Sequence, residues 1–243
     1  MAQYGKFADI YDSLMHEDVN YDAWCDYIEN LLHLNGCEPD TICELACGTG
    51  NITARLAERG YDVTGVDISS DMLMLAAKKL RGAHLIRSDM SRFRSARKYG
   101  AFLCMIDGIN YLIDPAAVKR TFENVRRCLD NNGVFIFDIS TRYKLSRILG
   151  NETYIHSEYD VFYSWQNRYI EKYNISDMLL NFFVERGGGL YERFEERHLQ
   201  RGYSIEQLKY MLRGAGFEKI EVYGELSYSA PEKNSERIVF VCS

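Results

Sequence analysis

No stretch of this 243-residue chain approaches the run of about 18 apolar residues that a membrane-spanning helix needs, and no apolar segment follows a basic start. A membrane span and a secretory leader are therefore not expected, and the expected address is the cytoplasm. None of the seven cysteines forms a CxxC pair, and the odd count in a chain of this size argues against a disulfide framework. Cys25, Cys37, Cys43, Cys47, Cys104, Cys128 and Cys242 read instead as reduced, mostly buried small hydrophobes. The five histidines show no HExxH or HxH spacing, so no structural or catalytic metal is expected. A basic surplus is missing too. The formal charge of −6 argues against sequence-independent binding to nucleic acid or anionic membranes. The locally basic stretch between Lys78 and Lys98 reads as a solvated helix end and loop.

What is present is an apolar fraction of 47%, enough for one large α/β domain carrying an insertion. Phe7 to Tyr11 suggests a short helix, and Tyr21, Trp24, Tyr27, Ile28, Leu31 and Leu32 form the apolar stripe of a longer one. Strands are predicted at Thr41–Leu45, Asp62–Asp67, Ala83–Ser88, Ala101–Asp107, Val134–Ile139, Phe217–Tyr223 and Arg237–Cys242. Helices fall between them: Asn51 as N-cap through Arg59, Ser70 as cap to about Leu80, Pro115–Leu129 behind Asp114, and Ile205–Arg213 behind a Ser204/Gln207 capping box. Apolar strands separated by helices mean a parallel sheet covered on both faces.

Between about Gly150 and Gly202 the period changes to two: Tyr159, Val161, Tyr163, Trp165 and Tyr169 alternate with polar residues. Met178–Val184 and Leu190–Leu199 flank Gly187-Gly188-Gly189, a hairpin signal. The expected division is 1–149 with 203–243 as the main domain, 1–35 as its helical cap, and 150–202 as an antiparallel β insertion. That insertion is expected to serve as a lid or a subunit contact, since its aromatic face suits a flat small molecule or a packing surface equally.

The chemistry concentrates in Glu44-Leu45-Ala46-Cys47-Gly48-Thr49-Gly50, where the first strand meets the first helix of the sheet. The two glycines allow a tight turn and a close backbone approach to a ligand. The helix start beyond them offers free N–H groups to a carboxylate. Asp67 ends the second strand 19 residues after Gly48, placed to accept the hydroxyls of a ribose or, alternatively, to cap the next helix. Asp89 ends the third strand, suited to the exocyclic amine of adenine or to capping a turn. Nicotinamide binding fits poorly, because Thr53 stands where a GxGxxG fingerprint needs its third glycine. Cys47 has no basic neighbour in sequence and is not expected to act as a nucleophile.

The run Glu44 to Gly50, then Val66-Asp67-Ile68-Ser69 and Asp71-Met72-Leu73, resembles the class I S-adenosylmethionine-dependent methyltransferases. The likeness is strongest to small bacterial members that open with a Tyr-x-x-Phe-Ala-x-x-Tyr-Asp segment, here Tyr4 to Asp12. It implies a Rossmann-like, doubly wound, seven-stranded sheet with its last strand antiparallel, and S-adenosylmethionine as the methyl donor. The resemblance further implies that Gly48 and Gly50 line the methionine part of the donor, and that Glu44, Ala46 and Cys47 also belong to the cofactor site. It puts Asp67 on the ribose, Ile68 and Met72 against adenine, Asp89 and Met90 at the adenine edge, and Ile106 with Asp107 under the sulfonium. Met72 reads equally as plain core.

Methyl transfer from a sulfonium gains most from near-attack geometry and water exclusion, and needs a base only where the acceptor must lose a proton. Tyr11, Asp107, Asn110, Tyr111 and Asp138 are the expected site-lining residues at the carboxyl edge. His198, among Glu195, Glu196 and Arg197, is expected to be a surface histidine rather than a base. The Asp/Asn-Pro-Pro-Tyr element of nucleobase and glutamine amide methylation is missing, since the chain reads Asp107-Gly108-Ile109-Asn110-Tyr111 after its fourth strand. A small-molecule acceptor is therefore expected. The alternatives are a donor-binding protein without transferase activity and, less consistent with the net charge, an RNA methyltransferase.

Overall fold

The computed structural model describes residues 19–80, 84–158 and 160–243. The expected helix at Phe7–Tyr11, the Tyr4–Asp12 segment, Tyr11 itself and Tyr159 lie outside the described residues.

The first described helix, α1 (Tyr21–Leu34), buries Tyr21, Trp24, Tyr27, Ile28, Leu31 and Leu32, the stripe read from the sequence, and Asn20 caps it by accepting from the Ala23 N–H. Strand β1 (Thr41–Leu45) leads into α2 (Asn51–Glu58), β2 (Asp62–Asp67), α3 (Ser70–Lys79), β3 (His84–Arg87) and β4 (Tyr99–Cys104). Then come α4 (Pro115–Cys128), β5 (Leu129–Ser140), the four strands β6 (Thr153–Glu158), β7 (Val161–Ile170), β8 (Ile175–Glu185) and β9 (Tyr191–Arg201), then α5 (Ile205–Ala215), β10 (Ile220–Gly224) and β11 (Arg237–Cys242).

Seven strands form one sheet in the order β3-β2-β1-β4-β5-β11-β10, with β11 antiparallel to both of its neighbours. The order reverses beside β1, which is where open α/β sheets bind ligands at their carboxyl edge. Helices α1 and α2 pack on one face through Ile28, Leu31, Ile52 and Leu56 against Ile42, Val63, Leu103 and Val239. Helices α4 and α5 cover the other through Val118, Phe122, Leu208 and Leu212 against Phe102, Phe135, Phe137 and Phe240. Near-complete burial of both faces explains why the central strands are continuously apolar.

The second sheet is a four-stranded antiparallel meander, β6-β7-β8-β9, inserted between β5 and α5. This is the antiparallel insertion expected from the sequence, and the Gly187–Gly189 turn joins β8 to β9, closed by the Arg186 N–H donating to the Leu190 carbonyl at 2.9 Å. Val161, Phe182 and Val184 of this sheet pack on Met72 of α3, so the insertion sits over the β2–α3 side of the sheet's carboxyl edge.

Several boundaries differ from the sequence expectation for local reasons. Gly50, not Asn51, is the N-cap of α2, because its φ of 75° makes the left-handed turn. Asn51 instead accepts from Lys79 Nζ at 2.7 Å. Ser69, not Ser70, caps α3 by accepting from the Met72 N–H. The fourth strand stops at Cys104 rather than Asp107, because Ile106 and Asp107 both turn left-handed at a φ of 56°. Helix α4 ends at Cys128, and Leu129 already pairs with Tyr99. Strand β10 starts at Ile220 rather than Phe217, whose ring packs in the core below α5. The seven cysteines are all buried and free.

Candidate active site

The loop Ala46–Gly50 follows from its glycines. Ala46, Gly48 and Gly50 all take positive φ, at 53°, 55° and 75°, which folds the chain back tightly over the end of β1. A Cβ at Gly50 would come within 3.0 Å of Ala76 Cβ, so glycine there lets α2 approach α3. At Gly48 a Cβ would meet no atom within 4 Å. The backbone there borders open space.

Asp67 anchors this loop. Its Oδ2 accepts from the Gly48 N–H at 2.9 Å and its Oδ1 from the Ser69 N–H at 2.8 Å. Burial pushes its carboxyl above the ordinary range, against the backbone bonds that pull it down. The Ser69 bond braces the start of α3, which Ser69 itself caps, and each Asp67 oxygen keeps a lone pair. Ile68 beside it is 56% exposed, an apolar side chain left at the edge of the open space. Met72 is not: it is core under the insertion, packed on Val161, Phe182 and Val184.

Glu44 is fully buried and accepts from the Thr53 hydroxyl, so the residue in place of a third glycine ties α2 to β1. Burial raises the Glu44 carboxyl to about 8. Cys47 is buried, and burial drives its thiol well above the ordinary value, so it is no nucleophile. Asp89 accepts from the Ser91 N–H at 2.8 Å in the turn after β3, and Met90 packs on the core beside it.

The turn after β4 carries Ile106, a β-branched residue held at positive φ, and Asp107. Such backbone costs on the order of 1–3 kcal/mol and persists where surrounding structure enforces it. Here Gly108 does so: a Cβ there would sit 2.7 Å from Cys104 Sγ and 3.0 Å from Ala46 Cβ, so the turns after β1 and β4 touch. The Asp107 N–H donates to Asp138 Oδ2 at 3.0 Å. Asn110 is completely buried and spent on structure: its amide donates to the Ser140 and Arg201 carbonyls at 3.0 and 2.9 Å and accepts from the Ser140 N–H. It pins the second sheet to the first. Tyr111 stands edge-to-face with His198, ring centres 5.9 Å apart, and lines a cavity of about 260 Å³ with Ile113, Arg197 and Leu199.

Three residues here were not singled out from the sequence. Arg237, at the start of β11, donates from Nη1 and Nη2 to Asp107 Oδ1 at 3.0 Å and from Nη1 to Asp138 Oδ2. Burial alone would weaken the guanidinium's hold on its proton, but Asp138 and Asp107 raise it further above its ordinary value. Gln200 donates to Asp107 Oδ2. Glu196 lies buried on the same face of β9. The signals were a charge opening an otherwise apolar strand and a polar row at 196, 198 and 200. His198 belongs to that row, and the surface reading is corrected: it is 4% exposed, and burial lowers its pKa to about 4. Charged neighbours at 195 and 197 hid it, because they point to the opposite face of the strand. Asp138 is 0% exposed, and burial pushes its carboxyl up while Arg237 pulls it back. Among the described residues no group of acidic, histidine and cysteine side chains has the makings of a metal site.

A methyltransferase domain family matches residues 42–133. A Bacillus subtilis (strain 168) protein named "Putative methyltransferase YqeM" is 35% identical, over 98% of this chain and 95% of its own. The crystal structure of an S-adenosylmethionine-dependent methyltransferase from Clostridium acetobutylicum is 36% identical with a TM-score of 0.89, over 98% of both chains. This chain belongs to the S-adenosylmethionine-dependent methyltransferases. A Streptomyces venezuelae dTDP-3-amino-3,4,6-trideoxy-alpha-D-glucopyranose N,N-dimethyltransferase is 29% identical over 54% of this chain and 56% of its own. The methyltransferase uses S-adenosylmethionine as its donor. The residues on the carboxyl edge fit that donor: open space over Gly48, an exposed apolar Ile68, and an Asp67 carboxylate with acceptor capacity left. No helix among the described residues is long and apolar enough to cross a membrane.

Proposed function

We propose that this methyltransferase acts on a small-molecule acceptor, held between the carboxyl edge of the main sheet and the inserted meander. The observation that carries the reading is the buried polar row Glu196, His198 and Gln200 of β9, which joins Asp107 of the main sheet through the Gln200 amide. A buried polar row beside the carboxyl edge suits a small, polar molecule. The name of the Streptomyces venezuelae relative, which describes transfer to an amino sugar nucleotide, supports it. On this reading residues 1–149 and 203–243 form the donor-binding domain, with 1–35 as its cap, and 150–202 form the lid.

The donor, when bound, supplies an electrophilic methyl on a sulfonium. Gly48 and Gly50, with Glu44, Ala46 and Cys47 behind them, form the loop against its methionine part. Asp67 accepts from the ribose hydroxyls, Ile68 covers adenine, and Asp89 with Met90 borders the adenine edge. Met72 contributes by seating the lid on α3. Ile106 and Asp107 turn beneath the reacting centre, and Tyr111 closes one side.

Incubation with donor carrying a tritiated methyl group, in a cell extract separated afterwards into small molecules, RNA and protein, tests the reading. Label is expected in the small-molecule fraction alone. Label in RNA overturns the acceptor class. Binding of the donor with no labelled fraction points to the other reading, a protein that binds S-adenosylmethionine without transferring its methyl group.

A further inference from the structure

The ends of β4, β5 and β10 bring three carboxylates to one guanidinium at the start of β11. Arg237 holds Asp107 and Asp138 by hydrogen bonds, and its Nε lies 3.2 Å from Glu225 Oε1. The cluster is therefore net negative, and its cation is already committed. An acceptor that presents a phosphate or carboxylate here meets like charge.

Within the cluster the two oxygens of Asp138 differ. Oδ2 takes both available donors, Arg237 Nη1 and the Asp107 N–H. Oδ1 is buried and has no hydrogen-bond partner, on a side chain with no exposed surface. An unmatched carboxylate oxygen in such a place is costly, and in a folded protein it calls for an explanation. The donors on Oδ2 match an ionised carboxylate, so what Oδ1 lacks is an N–H or O–H.

We propose that Asp138 Oδ1 receives an N–H of the methyl acceptor, and that the atom methylated is the nitrogen of a primary or secondary amine. The inference rests on the small-molecule reading above. One N–H held at Oδ1 turns the nitrogen lone pair away from the carboxylate and toward the donor methyl. The new C–N bond forms as the methyl–sulfur bond breaks, and the electron pair of that bond returns to sulfur. The nitrogen becomes an ammonium, stabilised by the net negative cluster, and its proton leaves through Asp138 Oδ1 to water. Attack by an amine leaves a positive charge on nitrogen, which the net negative cluster stabilises, whereas attack by an alcohol sheds its proton and ends neutral, gaining nothing from that cluster.

Sinefungin tests this without knowledge of the acceptor, because an amine-bearing carbon in it replaces the methylated sulfur and puts an ammonium where the transferred methyl stands. Calorimetric titration compares it with S-adenosylhomocysteine, which lacks that group. Wild-type protein is expected to bind sinefungin about tenfold or more tightly than S-adenosylhomocysteine, through a charge-assisted bond to Oδ1. Asp138→Asn is expected to bring the ratio of the two affinities to within about threefold. A wild-type ratio near one overturns the proposal by itself, even if the variant fails to fold. An unchanged ratio in Asp138→Asn overturns it too. Failure of S-adenosylhomocysteine to bind defeats the donor-site reading instead, so the two failures are distinct.

Discussion

Replacing Arg237 with methionine removes the guanidinium that bridges the half-buried Asp107 and the buried Asp138 while keeping a side chain of similar length. Asp138 is left with no exposed surface and a single remaining donor, the Asp107 N–H. Breaking a buried ion pair from one side costs about 3–5 kcal/mol, because the surviving charge loses its partner and regains no water. The lost contact to Glu225 adds little, since that side chain is 47% exposed and a partly solvated pair contributes about 0–1 kcal/mol. Relief comes only if Asp138 takes up a proton. Its carboxyl already lies above the ordinary range from burial, with Arg237 pulling it down, so the variant raises it further. A carboxyl raised in the folded state contributes stability that is present below its unfolded value and lost as pH rises through the folded one. The deficit of Arg237→Met is therefore small near pH 4 and grows toward pH 8. Urea unfolding of both proteins at several pH values, followed by circular dichroism, measures it. A deficit under about 1 kcal/mol at pH 8, or one that does not grow with pH, refutes the reasoning.

Glu44→Gln is expected to behave the opposite way. Burial raises Glu44 to about 8, so the wild type loses stability as pH rises from about 4.5 to 8, whereas the glutamine variant does not. Urea midpoints should cross or converge at low pH and favour the variant at pH 8; parallel curves contradict the burial argument. His198, lowered to about 4, should remain neutral down to about pH 5, visible as a flat imidazole proton resonance. Its depressed value means stability that is present above about 6.5 and lost as pH falls through 4, and a midpoint near 6.5 contradicts its burial.

The proposed donor half of the candidate site was more legible in the sequence than the proposed acceptor half, for a physical reason. Gly48, Gly50 and Asp67 sit within one β-α-β unit, so local backbone demands dictate both residue type and spacing. Strand boundaries at Thr41–Leu45, Asp62–Asp67 and Arg237–Cys242 were equally legible, because burial on both faces leaves short, mostly apolar runs between polar turns. The cluster of Asp107, Asp138, Gln200 and Arg237 spans 130 positions of sequence and forms only when β9 and β11 reach the carboxyl edge. No local pattern marks such a meeting. Asn110 shows the converse error, since an amide in a promising turn is wholly occupied in joining the two sheets. The turn at Ile106 also escaped, because a β-branched residue at the end of an apolar run reads as strand.

Calorimetric titration of S-adenosylmethionine into wild-type protein and Asp67→Ala tests the donor site most directly. The wild type is expected to bind, and the variant to bind at least about tenfold more weakly, because the ribose contact and the anchor of the Gly48 loop are lost together. Equal affinities would contradict the placement of the ribose on Asp67, and absence of binding to the wild type would contradict the donor site as a whole.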